Sequence, residues 1–286
     1  MRVLITGGLG QLGRALSAAL AGDQVTAPGH AELDITDEAA VREAVESSRA
    51  EVVVHAAAWT DTAGCERDPE RAMLVNARGA GTVAEACARS SALMVYVSSN
   101  EVFDGDTDQP YEEGAPVHAI NEYGRSKLEG ERLVAAVSPG HAIVRTSWLY
   151  GPGRVSYPEK ILRAAREQGA LRGVSDEVAS PTWTVDLAQA IGRLIRRRPG
   201  GVYHLTNSGY CSRLQWAERI LATSGLPNVS VTSATQADFG APYRKPVFSA
   251  LANIRARALG VTMRPWEAAL TDHLSLVPAA SDAAGQ

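Results

Sequence analysis

Arg2-Val3-Leu4-Ile5-Thr6-Gly7-Gly8-Leu9-Gly10-Gln11-Leu12-Gly13-Arg14-Ala15-Leu16-Ser17-Ala18-Ala19-Leu20 is the stretch whose reading decides the fold. A short β-rich run enters a glycine turn, and the turn opens onto an apolar helix. Gly7, Gly10 and Gly13 recur at a three-residue spacing. The first permits a tight turn, the second lets the backbone approach a pyrophosphate, and the third lets helix pack closely on strand. The pyrophosphate would rest on the helix N-terminus, where unpaired N–H groups and the dipole favour an anion. Gln11 and Leu12 lie between two of these glycines and are expected at the same dinucleotide. A plain glycine turn is the alternative, and the flanking strand and helix argue against it.

Outward from this unit, Gln24 to Ala27 reads as a second strand running into Pro28-Gly29-His30. No acidic residue closes that strand to take a ribose 2′-hydroxyl, although Glu32 and Asp34 follow closely. Arg14, at the start of the first helix, stands where it could reach a 2′-phosphate. NADPH is therefore the expected cofactor, with NADH left open. Asp34 and Ile35 are expected near it, and Thr36 is expected to cap the next helix. Glu51 to His55 is a continuous apolar run suited to a buried parallel strand. Ala56, Ala57 and Ala58 after it are small, as a backbone passing close to a cofactor requires. A helix from Pro69 through Ala77 to Arg89 carries Asn76, a further expected cofactor contact. Leu93 to Val97 is the fourth strand and delivers Ser98-Ser99-Asn100-Glu101 at its C-terminal end, the edge where open parallel sheets bind ligands. Ala142 to Arg145 is the fifth.

The alternation over residues 1–150 predicts an α/β protein with a Rossmann-type doubly wound parallel sheet. Residues 183–205 are expected to pack back onto it. Residues 151–182 and 206–277 are expected to form a smaller C-terminal α/β substrate-binding lobe, and 278–286 a disordered tail.

Tyr123 and Lys127 stand four apart, on one face of a helix expected to run to about Ala136. An ammonium beside a phenol favours the phenolate and lowers the tyrosine pKa. Such a tyrosine exchanges a proton with a substrate oxygen near neutral pH. A surface Tyr–Lys pair is the alternative, since the bare spacing occurs on many helices. Ser99 is placed to hydrogen-bond a substrate carbonyl; its alternative is an ordinary loop serine.

Hydrophobic residues make up 45% of the 286 residues, charged residues 21%, and the net charge is -4. That composition describes an ordinary soluble globular protein and argues against nucleic acid as the main partner. The basic cluster Arg196-Arg197-Arg198 sits at an expected helix end, where cations suit the dipole. Cys65, Cys87 and Cys211 are widely spaced, with neither a disulfide framework nor a metal-binding Cys pair, so a cytoplasmic location is expected. No apolar run reaches membrane-spanning length, and no carboxylate or histidine cluster points to a metal.

The assembled motifs resemble the extended short-chain dehydrogenase/reductase superfamily, and within it the dTDP-4-dehydrorhamnose reductase family. The pieces that carry the resemblance are Gly7–Gly13 as GGxGQLG, Ala56–Thr60 as AAAxT, Tyr123–Glu131 as YGxSKLxGE and Arg145–Tyr150 as RTSWxY. Pro181-Thr182 and the stretch from Lys245 to Leu251 match further family segments. The resemblance implies hydride delivery to the C4 carbonyl of a nucleotide-linked 4-keto-6-deoxyhexose. Tyr123 would be the proton donor, Lys127 would hold the nicotinamide ribose, and Ser99 would hold the carbonyl. Asn100, Glu101, Trp148, Pro181, Lys245 and Ser249 are implied at the substrate. A homodimer is left open.

The chain departs from the family at several places. Ser98-Ser99-Asn100-Glu101 stands where the family reads Ser-Thr-Asp-Tyr, Ala63 stands for an aspartate, Glu177 and Ala179 for Gln and Gly, and Lys245 for an arginine. Ser-Asn-Glu also resembles the Thr-Asp-Glu of nucleotide-sugar 4,6-dehydratases, but an amide cannot protonate a leaving hydroxyl. Two other readings stay open: an epimerase or dehydratase of the superfamily, and a non-catalytic NADP-binding regulatory subunit.

Overall fold

The structure, a computed structural model, describes residues 1–137 and 140–277; the tail expected at 278–286 lies outside the described residues. In chain order the first half comprises β1 (Arg2–Thr6), α1 (Gln11–Ala19), β2 (Gln24–Thr26), α2 (Glu38–Ser48), β3 (Val52–His55), α3 (Thr62–Arg67), α4 (Pro69–Ala72), α5 (Gly79–Arg89), β4 (Leu93–Ser99), α6 (Glu122–Val137) and β5 (Ala142–Thr146). The second half adds β6 (Leu149–Tyr150), α7 (Tyr157–Gln168), β7 (Ala170–Val174), β8 (Val178–Ala179), β9 (Thr182–Trp183), α8 (Thr184–Ile195), β10 (Gly201–His204), β11 (Cys211–Ser212), α9 (Arg213–Thr223), β12 (Ser230–Ala234), α10 (Ile254–Ala258) and α11 (Trp266–Ser275).

Six strands form one parallel sheet in the order β2-β1-β3-β4-β5-β10. Successive strand residues face opposite sides, so Leu4 and Ile5 feed separate cores. On one side Leu12 and Leu16 of α1 and Leu187 and Ile191 of α8 pack over Ile5, Val54 and Val95. On the other, Val41, Val83 and Val134 from α2, α5 and α6 pack over Leu4, Val53 and Met94. Registers Thr6↔His55, His55↔Tyr96 and Ser99↔Thr146 bring the ends of four strands to a single edge. The chain order reverses between β1 and β3, so a crevice opens there, where doubly wound folds take their ligands. A further cluster of Tyr150, Trp183, Trp216, Trp266 and Leu270 builds the core beyond the sheet. Gln11 Nε2 ties the glycine turn to that region by donating to Gly151 O at 2.6 Å.

Three local expectations change. The helix expected from Pro69 to Arg89 is interrupted by a π-helical turn, Met73–Arg78, between α4 and α5. Such a turn lets a backbone group leave the helical ladder, and Asn76 uses it: its carbonyl accepts from the Tyr96 hydroxyl at 3.1 Å. Asp37, not Thr36, caps α2, accepting from the N–H groups of Ala39 and Ala40, while Thr36 is held by Asp34. The stretch 175–182, expected as a loop, carries β8 and β9, because β11 and β6 supply pairing edges.

Candidate active site

A cavity of about 380 Å3 lies over the C-terminal edge of the sheet. Gly7, Gly10, Gln11, Leu12 and Gly13 form one wall, Ala56 and Ala58 a second, and Ser99, Tyr123 and Lys127 a third. The glycine wall is built by contact. Gly7 has φ +68°, a conformation that favours glycine, and a Cβ on Gly13 would stand 2.3 Å from Gly7 O. No side chain caps α1 and its first turn holds no acid, so the first-turn N–H groups remain available to an anion.

Ser99 ends β4, and its hydroxyl accepts from the Glu101 N–H at 3.1 Å. Tyr123 and Lys127 face the cavity from the first turns of α6, whose start is capped by Asn121 Oδ1 accepting from the Gly124 N–H at 2.8 Å. A Cβ on Gly124 would stand 2.1 Å from Glu101 O, so only glycine lets the helix start seat on the turn after β4. Glu131, further along α6, takes both Arg145 Nε (2.9 Å) and Nη2 (2.6 Å) and accepts from Ser98 Oγ (2.5 Å). This buried bidentate pair locks α6 to the tips of β4 and β5.

The electrostatics differ from the sequence expectation at one point. The Tyr123 phenol is pushed above its ordinary pKa, by burial first and then by the Glu101 charge, while the Ser99 hydroxyl works in the opposite direction. Lys127 does not acidify it, because burial pulls the ammonium itself down to about 7. The Lys127 Nζ lies 4.1 Å from the centroid of the Tyr96 ring, an enclosed cation–π contact. Burial also raises the Glu101 carboxyl above its usual range, against the hydrogen bond from Asn121 and the nearby Lys245 charge.

A second cavity, of about 620 Å3, shares Gln11, Thr60, Trp148, Leu149 and Arg154 with the first. Its walls carry Arg154, Lys160, Arg172, Arg213 and Lys245 around Glu177. Arg213 lies 3.6 Å over the Trp148 ring, which stacks on Trp216, and its Nε is 3.1 Å from Glu177. Lys245 Nζ is 3.3 Å from the other Glu177 oxygen. Burial opposes ionisation of Glu177, and the Arg213 and Lys245 charges outweigh it, holding the carboxyl below its usual range. Trp148 has φ 43°, an uncommon backbone for a bulky residue, held where the two cavities meet.

The remaining residues singled out from the sequence, Asn100 apart, lie off these walls. Ala57 packs under the Gly7 turn. Asn76 is buried, donating to Trp59 O and Ser126 Oγ and accepting from Trp59 N–H. The exposed Asp34 carboxylate serves Thr36, and Ile35 is in the core. Asn100 is a wall residue, yet its amide donates to Ser249 Oγ at 2.7 Å, so these two satisfy each other. Pro181 is buried beside β9. Arg14 turns back, its Nε donating to Leu9 O at 3.0 Å. Sequence reasoning missed Arg154, Lys160, Arg172 and Arg213. Nothing in their spacing joins them, and only the stacking of α7, β7 and α9 brings them together.

The profile of the RmlD substrate binding domain matches residues 1–277. The chain belongs to the dTDP-4-dehydrorhamnose reductase family. Within this family it is 38% identical over 280 residues to a Streptomyces griseus dTDP-4-dehydrorhamnose reductase, covering 95% of this chain and 92% of that one. It is 36% identical over 283 residues to the Bacillus subtilis spore coat polysaccharide biosynthesis protein SpsK, covering 98% and 99%. The Bacillus anthracis dTDP-4-dehydrorhamnose reductase, solved in complex with NADP, superposes with a TM-score of 0.93 at 33% identity, covering 96% of this chain and 99% of that one. The fold is therefore that of the reductase family. Among the described residues no helix is long and apolar enough to cross a membrane.

Proposed function

We propose that this chain reduces the C4 ketone of a dTDP-linked 4-keto-6-deoxyhexose with NADPH, as a step in deoxysugar synthesis. The observation that carries the reading is the convergence of Ser99, Tyr123 and Lys127 in one cavity that opens into a second ringed by cations. The first cavity suits a dinucleotide: the glycine wall has no room for side chains at Gly13, and the uncapped start of α1 suits a pyrophosphate. Gly7, Gly10, Gln11, Leu12, Gly13, Ala56 and Ala58 would hold it, with Lys127 at the nicotinamide ribose. NADH remains a second donor to be compared. NADPH, when bound, supplies the hydride. Ser99 Oγ donates to the C4 oxygen and holds the ketone. Tyr123 gives that oxygen a proton as negative charge develops on it, and the raised phenol pKa keeps the proton in place until then.

In the second cavity, Arg213, Lys160, Arg172 and Lys245 supply positive charge for a nucleoside diphosphate, and the Trp148–Trp216 stack supplies an apolar face for sugar or base. Residues 1–150 with 183–205 then serve the dinucleotide, and the remaining lobe serves the nucleotide sugar.

The test follows the oxidation of NADPH and of NADH with dTDP-4-keto-6-deoxyhexoses, made in situ with and without a 3,5-epimerase. Oxidation only with the epimerase identifies an L-series ketose, and oxidation without it a D-series ketose. Cofactor binding with no oxidation in either mixture would refute the reading in favour of another sugar or of a non-catalytic protein.

A further inference from the structure

The reduction leaves one carboxylate in the catalytic cavity without a task. Glu101 sits in the short turn Asn100–Val102 directly after β4. Its N–H donates to Ser99 Oγ, so it stands within one turn of the hydroxyl assigned to the ketone oxygen. Its carbonyl is pressed against Gly124, which brings it beside Tyr123. Its Oε2 accepts from Asn121 Nδ2 at 2.6 Å, and Asn121 is itself fully buried, donating also to Arg244 O at 3.0 Å. Among the described residues nothing bonds Oε1, and the residue lines the cavity. The nearest cations, Arg213 and Lys245, are engaged by Glu177. The cavity wall thus holds a carboxylate fixed by one oxygen and free at the other. Burial makes it a stronger base than an exposed glutamate.

A ketone acidifies the hydrogens on its neighbouring carbons, and ordinary bond lengths put those carbons ~2.4 Å from the carbonyl oxygen. A carboxylate lining the same cavity, two residues from the hydroxyl that grips this oxygen, is on the right wall to meet such a hydrogen. We propose that Glu101 removes and returns the proton on a carbon flanking the bound ketone, giving the site a second, redox-neutral activity: enolisation of the nucleotide-linked 4-keto sugar. The inference rests on the ketone-binding reading given above. In the forward step the α C–H bond breaks and its proton passes to Glu101 Oε1. The electron pair forms a C=C bond, and the carbonyl π pair moves onto the oxygen, where the Ser99 and Tyr123 hydroxyls stabilise it. The reverse step restores the ketone. No oxidant or reductant is consumed. A lone carboxylate returns the proton to the face it left, so the outcome is hydrogen exchange with retained configuration.

The experiment incubates the protein with a dTDP-4-keto-6-deoxyhexose in D2O with NADP+ and no reduced cofactor, then measures deuterium in the recovered sugar by mass spectrometry. One deuterium per sugar, entering at least ~10-fold faster than without protein, is the expected result, in line with the scale of general-base catalysis. Glu101→Gln, which keeps an acceptor for Asn121, should fall to the protein-free rate, while Tyr123→Phe, which loses one of the two hydroxyls on the enolate oxygen and keeps the base, should exchange more slowly than the unaltered protein and faster than Glu101→Gln. NADPH oxidation is followed with the same sugar in parallel. Oxidation without exchange in the unaltered protein would overturn the inference and leave the reductase standing. Neither exchange nor oxidation would overturn both. Exchange that survives Glu101→Gln but disappears in Tyr123→Phe would assign the base to the phenolate and refute the role given to Glu101.

Discussion

Replacing Tyr96 tests how the site keeps Lys127 charged. The ammonium and the ring are both buried, with Nζ 4.1 Å from the ring centroid, and burial already holds the lysine at about 7. A desolvated cation–π contact contributes about 2 kcal/mol. At 1.36 kcal/mol per pH unit, losing it lowers the lysine by roughly 1.5 units, to about 5.5. If turnover needs the ammonium, the alkaline limb of kcat/KM against pH moves down by the same amount in Tyr96→Leu. At pH 8 the charged fraction then falls about thirty-fold. Tyr96→Phe keeps the ring and loses only the hydroxyl's bonds to Asn76 O and Lys127 O, so its profile should stay close to that of the unaltered enzyme. The assay is NADPH oxidation with saturating cofactor from pH 5.5 to pH 9.5, with circular dichroism to verify that each variant is folded. An alkaline limb within ~0.3 units of the original in a folded Tyr96→Leu would refute the reasoning.

Three further outcomes are expected. Tyr123→Phe should lower kcat by ~10^2-fold or more while the NADPH dissociation constant changes only a few-fold, checked by turnover and by fluorescence titration. Gly13→Ala, whose Cβ would meet Gly7 O at 2.3 Å, should weaken NADPH binding roughly ten- to hundred-fold, because only backbone movement can relieve the overlap; calorimetry reads this directly. Glu159 accepts from buried His273 at 2.8 Å and from Ser156. Burial opposes its ionisation, the hydrogen bonds outweigh it, and the carboxyl lies at about 2. A depressed carboxylate stabilises the fold above its unfolded value near 4.5, and that stability is lost as pH falls from there toward 2. After discounting for its partial exposure, the contribution is about 2 kcal/mol. Urea unfolding at pH 7 and pH 3 should show this part of the acid dependence missing from Glu159→Gln.

The sheet and the helix that carries Tyr123 and Lys127 were legible because their signals are local. Val3 to Thr6 before Gly7, and Tyr123 four residues before Lys127, each declare themselves within a dozen positions. What the sequence could not supply depends on contacts between distant segments. The Tyr96 ring beneath Lys127 joins β4 to α6, and no spacing announces it. Asn76 reads from the sequence as a helical residue at the cofactor, but the π turn gives its carbonyl to Tyr96 and packing gives its amide to Trp59 and Ser126. The expectation that Lys127 lowers the Tyr123 pKa failed because burial, invisible in a one-dimensional pattern, acts on both groups. The cations of the second cavity come from 154, 160, 172, 213 and 245, which only packing unites.

The bond between Arg145 and Glu131 also constrains how this chain can drift. The two side chains are about 95% enclosed, and removing one partner of such a pair leaves a stranded charge that costs about 3–5 kcal/mol. That is a large part of the stability a domain possesses. Neither residue can be lost first, so a lineage that abandons the pair must replace both together or pass through an unfolded ancestor. The exposed positions around the second cavity, Arg154, Lys160 and Arg172, carry no such penalty for changing singly. Selection can therefore retune which sugar is accepted one substitution at a time, while the reacting centre is inherited as a block.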